Sequence, residues 1–187
     1  MVDKIRSHHI SPTTYLGVRT WQEWQDFGIW EMFFEQNPVK TFIELGTGPG
    51  GSSLYFALQC YRLDIPFHTF DNQVYFDFEE EDKLVEVVDF LGSFHNIDIW
   101  KDRGIIDSII KNAEHPIAMF FDNGDKPKEW EMFAPMLQPG DFCAVHDWGV
   151  EFTEDDIGDV AVERILTEPC EARKPGWTTM WFRRTNE

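Results

Sequence analysis

The chain has 187 residues, with 34 acidic side chains against 16 basic ones and a formal net charge of -18. A chain of this length forms one domain, because two domains would each have too little material for a core. Hydrophobic residues make up 42% of the sequence, including 17 Phe and 8 Trp, so a large buried core is expected. The acidic surplus excludes a protein that holds nucleic acid or an anionic membrane through a basic face.

The cysteines and the N-terminus indicate the compartment. Cys60, Cys143 and Cys170 are odd in number and widely spaced, so neither a disulfide framework nor a cysteine zinc site is expected. Residues 1–15 lack the apolar core of a signal peptide, and no run approaches the roughly 20 apolar residues of a membrane helix. We therefore expect a cytoplasmic protein without a membrane partner.

The N-terminal segment, residues 1–39, is predicted to be helical between Thr20 and Gln36. Aromatic residues recur there at helical spacing, and they are Trp21, Trp24, Phe27, Trp30, Phe33 and Phe34. Such a stripe either packs a helix on the core or forms a lid over a binding cleft. The sequence leaves both interpretations open.

Residues 40–187 alternate strand-like and helix-like segments. Five short apolar runs have the length and composition of buried strands, namely Thr41–Leu45, Pro66–Phe70, Ile97–Trp100, Pro116–Phe121 and Asp141–Val145. Each is followed by apolar residues at helical spacing, and these patterns begin at Leu54, Leu84, Ile106, Trp130 and Ile157.

Repeated strand–helix units predict crossover connections and therefore a parallel sheet covered by helices. After the last helical pattern, Cys170–Lys174 and Trp177–Arg183 flank a Pro-Gly turn and predict a hairpin. We therefore predict a single α/β domain over residues 1–187. Its core, residues 40–187, is a Rossmann-like, seven-stranded, mostly parallel sheet with helices on both faces and a C-terminal antiparallel hairpin.

A glycine-rich turn follows the first predicted strand and opens a helix. It reads Glu44-Leu-Gly46-Thr47-Gly48-Pro-Gly50-Gly51-Ser52. Glycine permits positive φ and a close approach of a ligand, while the helix N-terminus offers N–H groups that lack partners within the helix. The spacing Gly46-x-Gly48-x-x-Gly51 satisfies the dinucleotide fingerprint, with Asp71 as a ribose acceptor after the second strand. A nicotinamide dinucleotide is therefore one candidate ligand.

The same turn also resembles the first motif of class I S-adenosylmethionine (SAM)-dependent methyltransferases. Five strand–helix units and a hairpin are the order that this resemblance predicts, whereas a dehydrogenase usually needs a further substrate domain, so we prefer the methyltransferase. The resemblance covers roughly residues 40–183. It implies that SAM contacts Glu44 at its amino acid end, Asp71 at its ribose and Asp102 at its adenine. The full implied set is Glu44, Gly46, Thr47, Gly48, Gly50, Ser52, Asp71, Asp102 and Asp122.

Two acids follow the fourth and fifth predicted strands. If the strands are neighbours, the ends that carry Asp122 and Asp147 lie about 5 Å apart and can share a cation. Oxygen ligands favour Mg²⁺ over zinc. His146 faces away from Asp147 in a regular strand, so it either is a hydrogen-bonded structural residue or joins the site where the strand end bends.

These segments resemble the metal-assisted O-methyltransferases of the family named for cephalosporin hydroxylase and rhamnosyl O-methyltransferase. The matching pieces are Ile43–Gly46, Gly50–Ser52, Asp122-x-Gly124, Pro139–Asp141 and His146-Asp147. The resemblance implies Mg²⁺ bound by Asp122, His146 and Asp147. Many relatives have a histidine where this sequence has Asp125-Lys126, and many have an acid in place of His146. A metal-free enzyme therefore stays open.

The implied reaction transfers the SAM methyl group to a hydroxyl of a small molecule or sugar. Lys126 or His146 would accept the hydroxyl proton, and His146 is better matched to neutral pH. Lys126 is otherwise a solvated surface residue. No nucleic-acid partner is expected, and assembly as a homo-oligomer is left open. Two alternatives to this enzyme remain: a nicotinamide-dinucleotide-binding protein and a catalytically inactive methyltransferase-like binding module.

Overall fold

The structure is a computed structural model, which describes residues 13–72, 92–171 and 178–186. Its strands are β1 (Thr13–Tyr15), β2 (Val18–Thr20), β3 (Thr41–Leu45), β4 (Phe67–Asp71), β5 (Ser93–Asn96), β6 (Ile117–Phe121), β7 (Phe142–Val145), β8 (Val162–Ile165) and β9 (Met180–Arg184). Its helices are α1 (Trp24–Gln36), α2 (Gly51–Leu63), α3 (Gly104–Asn112), α4 (Lys126–Phe133) and α5 (Thr167–Glu171). Within these ranges, none of the helices has the length and apolar character needed to span a bilayer.

Seven of these strands form one sheet in the order β5-β4-β3-β6-β7-β9-β8. Neighbours from β5 to β7 are parallel, and β9 is antiparallel to both β7 and β8. This confirms the predicted mostly parallel sheet with an antiparallel C-terminal pair. Chain order reverses between β3 and β6, and open α/β sheets bind ligands at the carboxyl ends of the strands at such a reversal.

The two edge strands lie elsewhere than predicted. The third strand of the parallel set is Ser93–Asn96, ahead of the predicted Ile97–Trp100. At the other edge, Val162–Ile165 is a strand within the pattern that predicted a helix from Ile157. Edge strands meet a neighbour on one side only, so they need less apolar surface than central strands and escape a search for apolar runs.

The C-terminal pair also differs in its sequence limits. Cys170 lies in helix α5 instead of a strand. The strand that pairs with β9 is β8, which precedes α5 in the chain. The predicted turn Pro175-Gly176 lies outside the described residues, as does the helix predicted from Leu84. The strand predicted over Trp177–Arg183 is confirmed from Met180 onward.

Helix α1 packs its aromatic stripe on the sheet. The fully buried Trp30 ring contacts Phe42 of β3, Phe120 of β6 and Trp181 of β9, with centroid distances of 5.5, 5.2 and 5.2 Å. Edge-to-face packing of this kind adds to the stabilisation from burial. The stripe of α1 therefore packs on the core, which is the first of the two interpretations that the sequence left open.

The segment ahead of α1 has a different position. Strands β1 and β2 form an antiparallel hairpin, which packs on the first turn of α2. A Cβ added to Gly51 would lie 2.5 Å from the Arg19 carbonyl oxygen, so the hairpin and the helix start are in close contact. The hairpin therefore places residues 21–23 beside the glycine-rich turn.

Candidate functional site

The glycine-rich turn crosses the carboxyl end of β4. The N–H groups of Gly46 and Thr47 both donate to the Phe70 carbonyl, at 2.8 and 3.2 Å. Gly46, Gly48 and Gly50 have φ of 96°, 52° and 90°, which is the left-handed region that glycine tolerates best. Glycine is therefore needed at these positions, because the chain turns back over the carboxyl ends of β3 and β4 before it enters α2.

Asp71 ends β4 and holds this turn. Its buried carboxylate accepts a hydrogen bond from the Gly48 N–H at 2.9 Å. Beneath the turn, the hydroxyls of Thr47 and Thr69 are 2.6 Å apart. The predicted cofactor residues Gly46, Thr47, Gly48 and Asp71 thus lie together, and the Asp71 carboxylate stands at the turn that a ligand would approach.

Glu44 is fully buried below the turn. Its Oε2 accepts hydrogen bonds from the hydroxyls of Ser53 and Thr69, the latter at 2.6 Å. Its Oε1 has no hydrogen-bond partner among the described residues. Burial raises the pKa of Glu44 to about 8. An oxygen without a partner fits the cationic amino end of a ligand such as SAM, whose positive charge would favour the ionised form of Glu44 over the protonated form that burial favours.

The family resemblance implied Ser52 as a cofactor residue, and this role stays a prediction. Ser52 is buried, in the first turn of α2.

We expect the Glu44→Gln variant to lose part of the pH dependence of folding stability. A folded pKa of about 8 against an ordinary 4.5 means that the folded protein holds a proton that the unfolded chain releases. This stability is fully present below the ordinary pKa and is lost as pH rises through about 8. Melting temperatures measured between pH 6.5 and pH 8.5 should fall more steeply for the wild type than for Glu44→Gln.

Glu129 provides the internal comparison for that experiment. Burial also raises its pKa to about 8, so Glu129→Gln should flatten the same range and the double variant should flatten it most. A Glu44→Gln protein with the slope of the wild type would contradict the prediction.

The acids after β6 and β7 come together because the two strands are neighbours, and His146 lies with them. Asp122, His146 and Asp147 each offer a ligand atom within 4.8 Å of the others. The strand end bends at Asp147, whose φ is 56°, so two adjacent residues reach one site. This answers the alternative that the sequence left open, because His146 and Asp147 do not face opposite sides.

Lys126, the first residue of α4, lies inside this cluster. Its ammonium is 2.9 Å from Asp147 Oδ2, 3.3 Å from Asp122 Oδ1 and 2.7 Å from Glu151 Oε2. Only 5% of its side chain is exposed, so it is not the solvated lysine of the alternative interpretation. Burial by itself lowers the pKa of Lys126, but the three carboxylates outweigh burial and raise the pKa above its ordinary value.

His146 lies between the two aspartates. Its Nδ1 is 3.2 Å from Asp147 Oδ1 and 3.4 Å from Asp122 Oδ1. Burial lowers the pKa of His146, but Asp122 and Asp147 outweigh burial and raise it to about 10. Burial raises the pKa of Asp147, but hydrogen bonds and charge from His146 and Lys126 lower it to about 2. At neutral pH, therefore, His146 and Lys126 donate to carboxylates.

The donor set of this cluster does not fit magnesium. Mg²⁺ binds oxygen atoms at about 2.1 Å in near-octahedral geometry. Here every carboxylate oxygen of Asp122 and Asp147 already faces a nitrogen of Lys126, His146 or Gln22. A divalent ion between the aspartates would meet the Lys126 ammonium at contact distance, and like charges repel strongly in a poorly solvated site.

Glu129 fixes the loop that carries the cluster. Its buried carboxylate accepts hydrogen bonds from the N–H groups of Asn123 and Asp125, at 3.1 to 3.2 Å. The loop then enters α4 with Asp125 as the N-cap, which accepts from the Lys128 N–H. Glu129 was not predicted from the sequence, although a glutamate on the buried face of a helix is the signal that marks such a residue.

Two residues of the N-terminal segment also belong to the site. Gln22 is buried, and its Nε2 donates to Asp122 Oδ2 at 2.8 Å. The Trp21 ring covers Gly48, since a Cβ there would lie 3.1 Å from the indole. Trp21 is 57% exposed, so it lies over the turn from the solvent side. Trp21 and Gln22 therefore lie at the glycine-rich turn and at Asp122, while α1 belongs to the core, and a lid over a binding cleft stays a prediction.

Asp102, the predicted adenine neighbour, lies in the loop between β5 and α3. Its side chain is exposed, and its N–H donates to the Asp98 carbonyl at 2.9 Å. This loop follows the edge strand, two strands away from the glycine-rich turn. The adenine contact of Asp102 therefore stays a prediction.

Comparison with known proteins places the fold. No protein-family model and no curated protein matches the sequence. An apo structure of CmcI-N160 is similar with a TM-score of 0.70 at 15% identity, covering 96% of this chain and 79% of that chain. The Mg-SAM structure of CmcI-D160 also has a TM-score of 0.70 at 15% identity, covering 95% of this chain and 78% of that chain.

MtNAS in complex with MTA and tNA is less similar, with a TM-score of 0.52 at 10% identity, covering 85% of this chain and 60% of that chain. At such low identities the likeness concerns the fold. The chain therefore has the Rossmann-like fold of CmcI, the fold of class I SAM-dependent methyltransferases that its motifs predicted.

Proposed function

We propose that the chain is a SAM-dependent O-methyltransferase that acts on a hydroxyl group of a small molecule or sugar. The observation that carries this proposal is the convergence of acids on one glycine-rich turn. Asp71 accepts the Gly48 N–H, Glu44 lies buried beneath the turn, and a Cβ on Gly46 would touch the Asp122 backbone. The SAM-bound state of CmcI-D160, which shares the fold, supports the same ligand.

Charge favours SAM over a nicotinamide dinucleotide. SAM carries a sulfonium cation, an amino group and two ribose hydroxyls, and carboxylates are suitable acceptors for all of these donors and charges. A dinucleotide brings a pyrophosphate, which glycine-rich turns bind through backbone N–H groups. Here the Gly48 N–H already donates to Asp71, and the surrounding acids repel an added anion.

The residues of this chain would divide the binding between them. Asp71 would accept hydrogen bonds from the ribose hydroxyls. Glu44 Oε1 and the partly exposed side of the Asp122 carboxylate would accept hydrogen bonds from the amino group. When bound, SAM supplies an electrophilic methyl group, which bonds to the substrate oxygen as the carbon–sulfur bond breaks and sulfur keeps the electron pair. Alignment of the acceptor oxygen supplies a large part of the rate increase in such a displacement.

The cluster of Lys126, His146 and the neighbouring acids would bind the acceptor hydroxyl group of the substrate and take up its proton. Lys126 has its three ammonium contacts with Asp122, Asp147 and Glu151, and Glu151 is the exposed one, with 49% of its side chain accessible. A substrate oxygen that replaces Glu151 would be held by the Lys126 ammonium. His146 can accept the hydroxyl proton only in the neutral form, and because its pKa is raised to about 10 the ring is neutral only at alkaline pH, so the expected match of His146 to neutral pH is corrected.

A calorimetric titration tests the cofactor. We expect SAM and S-adenosylhomocysteine to bind with micromolar dissociation constants and NAD to bind about a hundredfold more weakly or not at all. Tighter binding of NAD would favour the dinucleotide protein instead. Failure of all three ligands to bind, or to raise the melting temperature at millimolar concentration, would favour the inactive binding module.

A matched pair of variants locates the binding. Asp71→Asn keeps the shape of the side chain but removes the charge at the turn, and we expect it to weaken S-adenosylhomocysteine binding about tenfold. Asp64→Asn makes the same change at the exposed C-terminal end of α2 and should bind as the wild type does. Equal affinities for the two variants would contradict the assignment.

A further inference from the structure

The carboxyl ends of β6 and β7 hold an acid cluster with a cation already built into it. Asp122, Asp147 and Glu151 converge on the Lys126 ammonium at 3.3, 2.9 and 2.7 Å. These are ordinary distances for charge-assisted hydrogen bonds and close ion pairs. An ammonium group has three donors, and each of them faces one carboxylate.

Lys126 is held in place by the fold and does not reach the cluster as a flexible surface side chain. It begins α4, it is followed by Pro127, and the loop before it is fixed by the contacts of Glu129 with Asn123 and Asp125. Glu151 is brought to the lysine by the turn that starts at Asp147, where the Glu151 N–H donates to the Asp147 carbonyl at 3.0 Å. The loops after β6 and β7 therefore both serve this contact.

The remaining carboxylate oxygens have partners from the protein too. Asp122 Oδ2 accepts from Gln22 Nε2 at 2.8 Å, and Asp147 Oδ1 faces His146 Nδ1 at 3.2 Å. A metal ion that took both aspartates would have to displace a buried lysine and disrupt these contacts. Lys126 offsets one of the three acidic charges and occupies the space between the carboxylates that an ion would need.

We propose that the Lys126 ammonium takes the position of a divalent cation between Asp122 and Asp147, so that this site works without a metal. The inference rests on the proposed function for its catalytic meaning, but its test does not require methyl transfer. In this arrangement the lysine supplies the positive charge that orients the acceptor oxygen, and activity is insensitive to chelators.

A titration with Mn²⁺ tests the proposal on the full chain with S-adenosylhomocysteine present. The unbound ion is monitored by electron paramagnetic resonance. We expect no Mn²⁺ binding by the wild type at millimolar concentration. Lys126→Met leaves three acids without their cation and should gain Mn²⁺ affinity by about tenfold or more. Lys126→Arg keeps the charge, and Lys128→Met removes an exposed lysine of the same helix, so neither should gain affinity.

Wild-type protein that binds Mn²⁺ and loses it on Asp147→Asn would overturn the proposal, whatever the variants of Lys126 do. A folded Lys126→Met protein that binds no Mn²⁺ would also overturn it, because the vacated position would then show no preference for a cation. Lys126→Gln serves as the second variant if Lys126→Met does not fold. Binding of S-adenosylhomocysteine is measured in the same samples, so failure of the proposed cofactor is seen separately from failure of this inference.

Discussion

Gly46→Ala is expected to destabilise the protein by about 3–5 kcal/mol and to abolish cofactor binding. The added Cβ would lie 2.2 Å from the Asp122 carbonyl oxygen, 2.6 Å from its carbon and 2.9 Å from the Asn123 nitrogen. All three are backbone atoms, so no flexible side chain can move aside. The turn would have to separate from the end of β6, which would part the glycine-rich turn from Asp122.

Gly140→Ala is the matched control for the backbone strain alone. Gly140 has nearly the same φ, 97° against 96° for Gly46, but its Cβ would meet no atom within 4 Å. It should cost only about 1–2 kcal/mol, the penalty of a left-handed alanine, and leave cofactor affinity unchanged. Thermal melting and calorimetry with S-adenosylhomocysteine measure both effects. Equal losses in the two variants would show that the contact with Asp122 is unimportant.

Asp122→Asn is expected to cost on the order of 3 kcal/mol at neutral pH and to lower the pKa of His146. The Asp122 carboxylate faces Lys126, His146 and Gln22, so its neutralisation leaves two cations with one acid fewer. Burial lowers the pKa of His146, and Asp122 is the main group that raises it to about 10. Without this carboxylate, the stability contributed by protonated His146 is lost at a lower pH as pH rises.

The imidazole C–H signals in NMR spectra report this titration directly, and His146→Gln identifies the signal. Asp125→Asn makes the same substitution three residues along, where asparagine caps a helix as well as aspartate does. It should change neither the melting temperature nor the His146 signal appreciably. A His146 signal that titrates at the same pH in Asp122→Asn and in the wild type would contradict the prediction.

The central strands could be predicted from the sequence because each is buried on both faces. Thr41–Leu45 and Ile117–Phe121 are uninterrupted apolar or β-branched runs apart from Glu44, and both are fully buried. The edge strands could not be placed in this way. Ser93–Asn96 is mostly polar, and the apolar residues around Val162–Ile165 happen to match helical spacing. Hydrogen bonding to the neighbouring strand decides where these two elements lie, and a local pattern does not contain that information.

The sequence by itself determined the α/β class, the glycine-rich turn, the buried position of Glu44 in a strand and the acids Asp71, Asp122 and Asp147 at or just after strand ends, because these depend on local pattern. Only the tertiary structure decided what surrounds those acids. Lys126 lies inside the cluster because α4 and the loop after β7 meet, and Gln22 reaches Asp122 from 100 residues away along the chain. Contacts between distant segments set the charge and the hydrogen bonds of the site. The predicted magnesium ligands therefore came together as expected, but around a lysine that supplies its own positive charge.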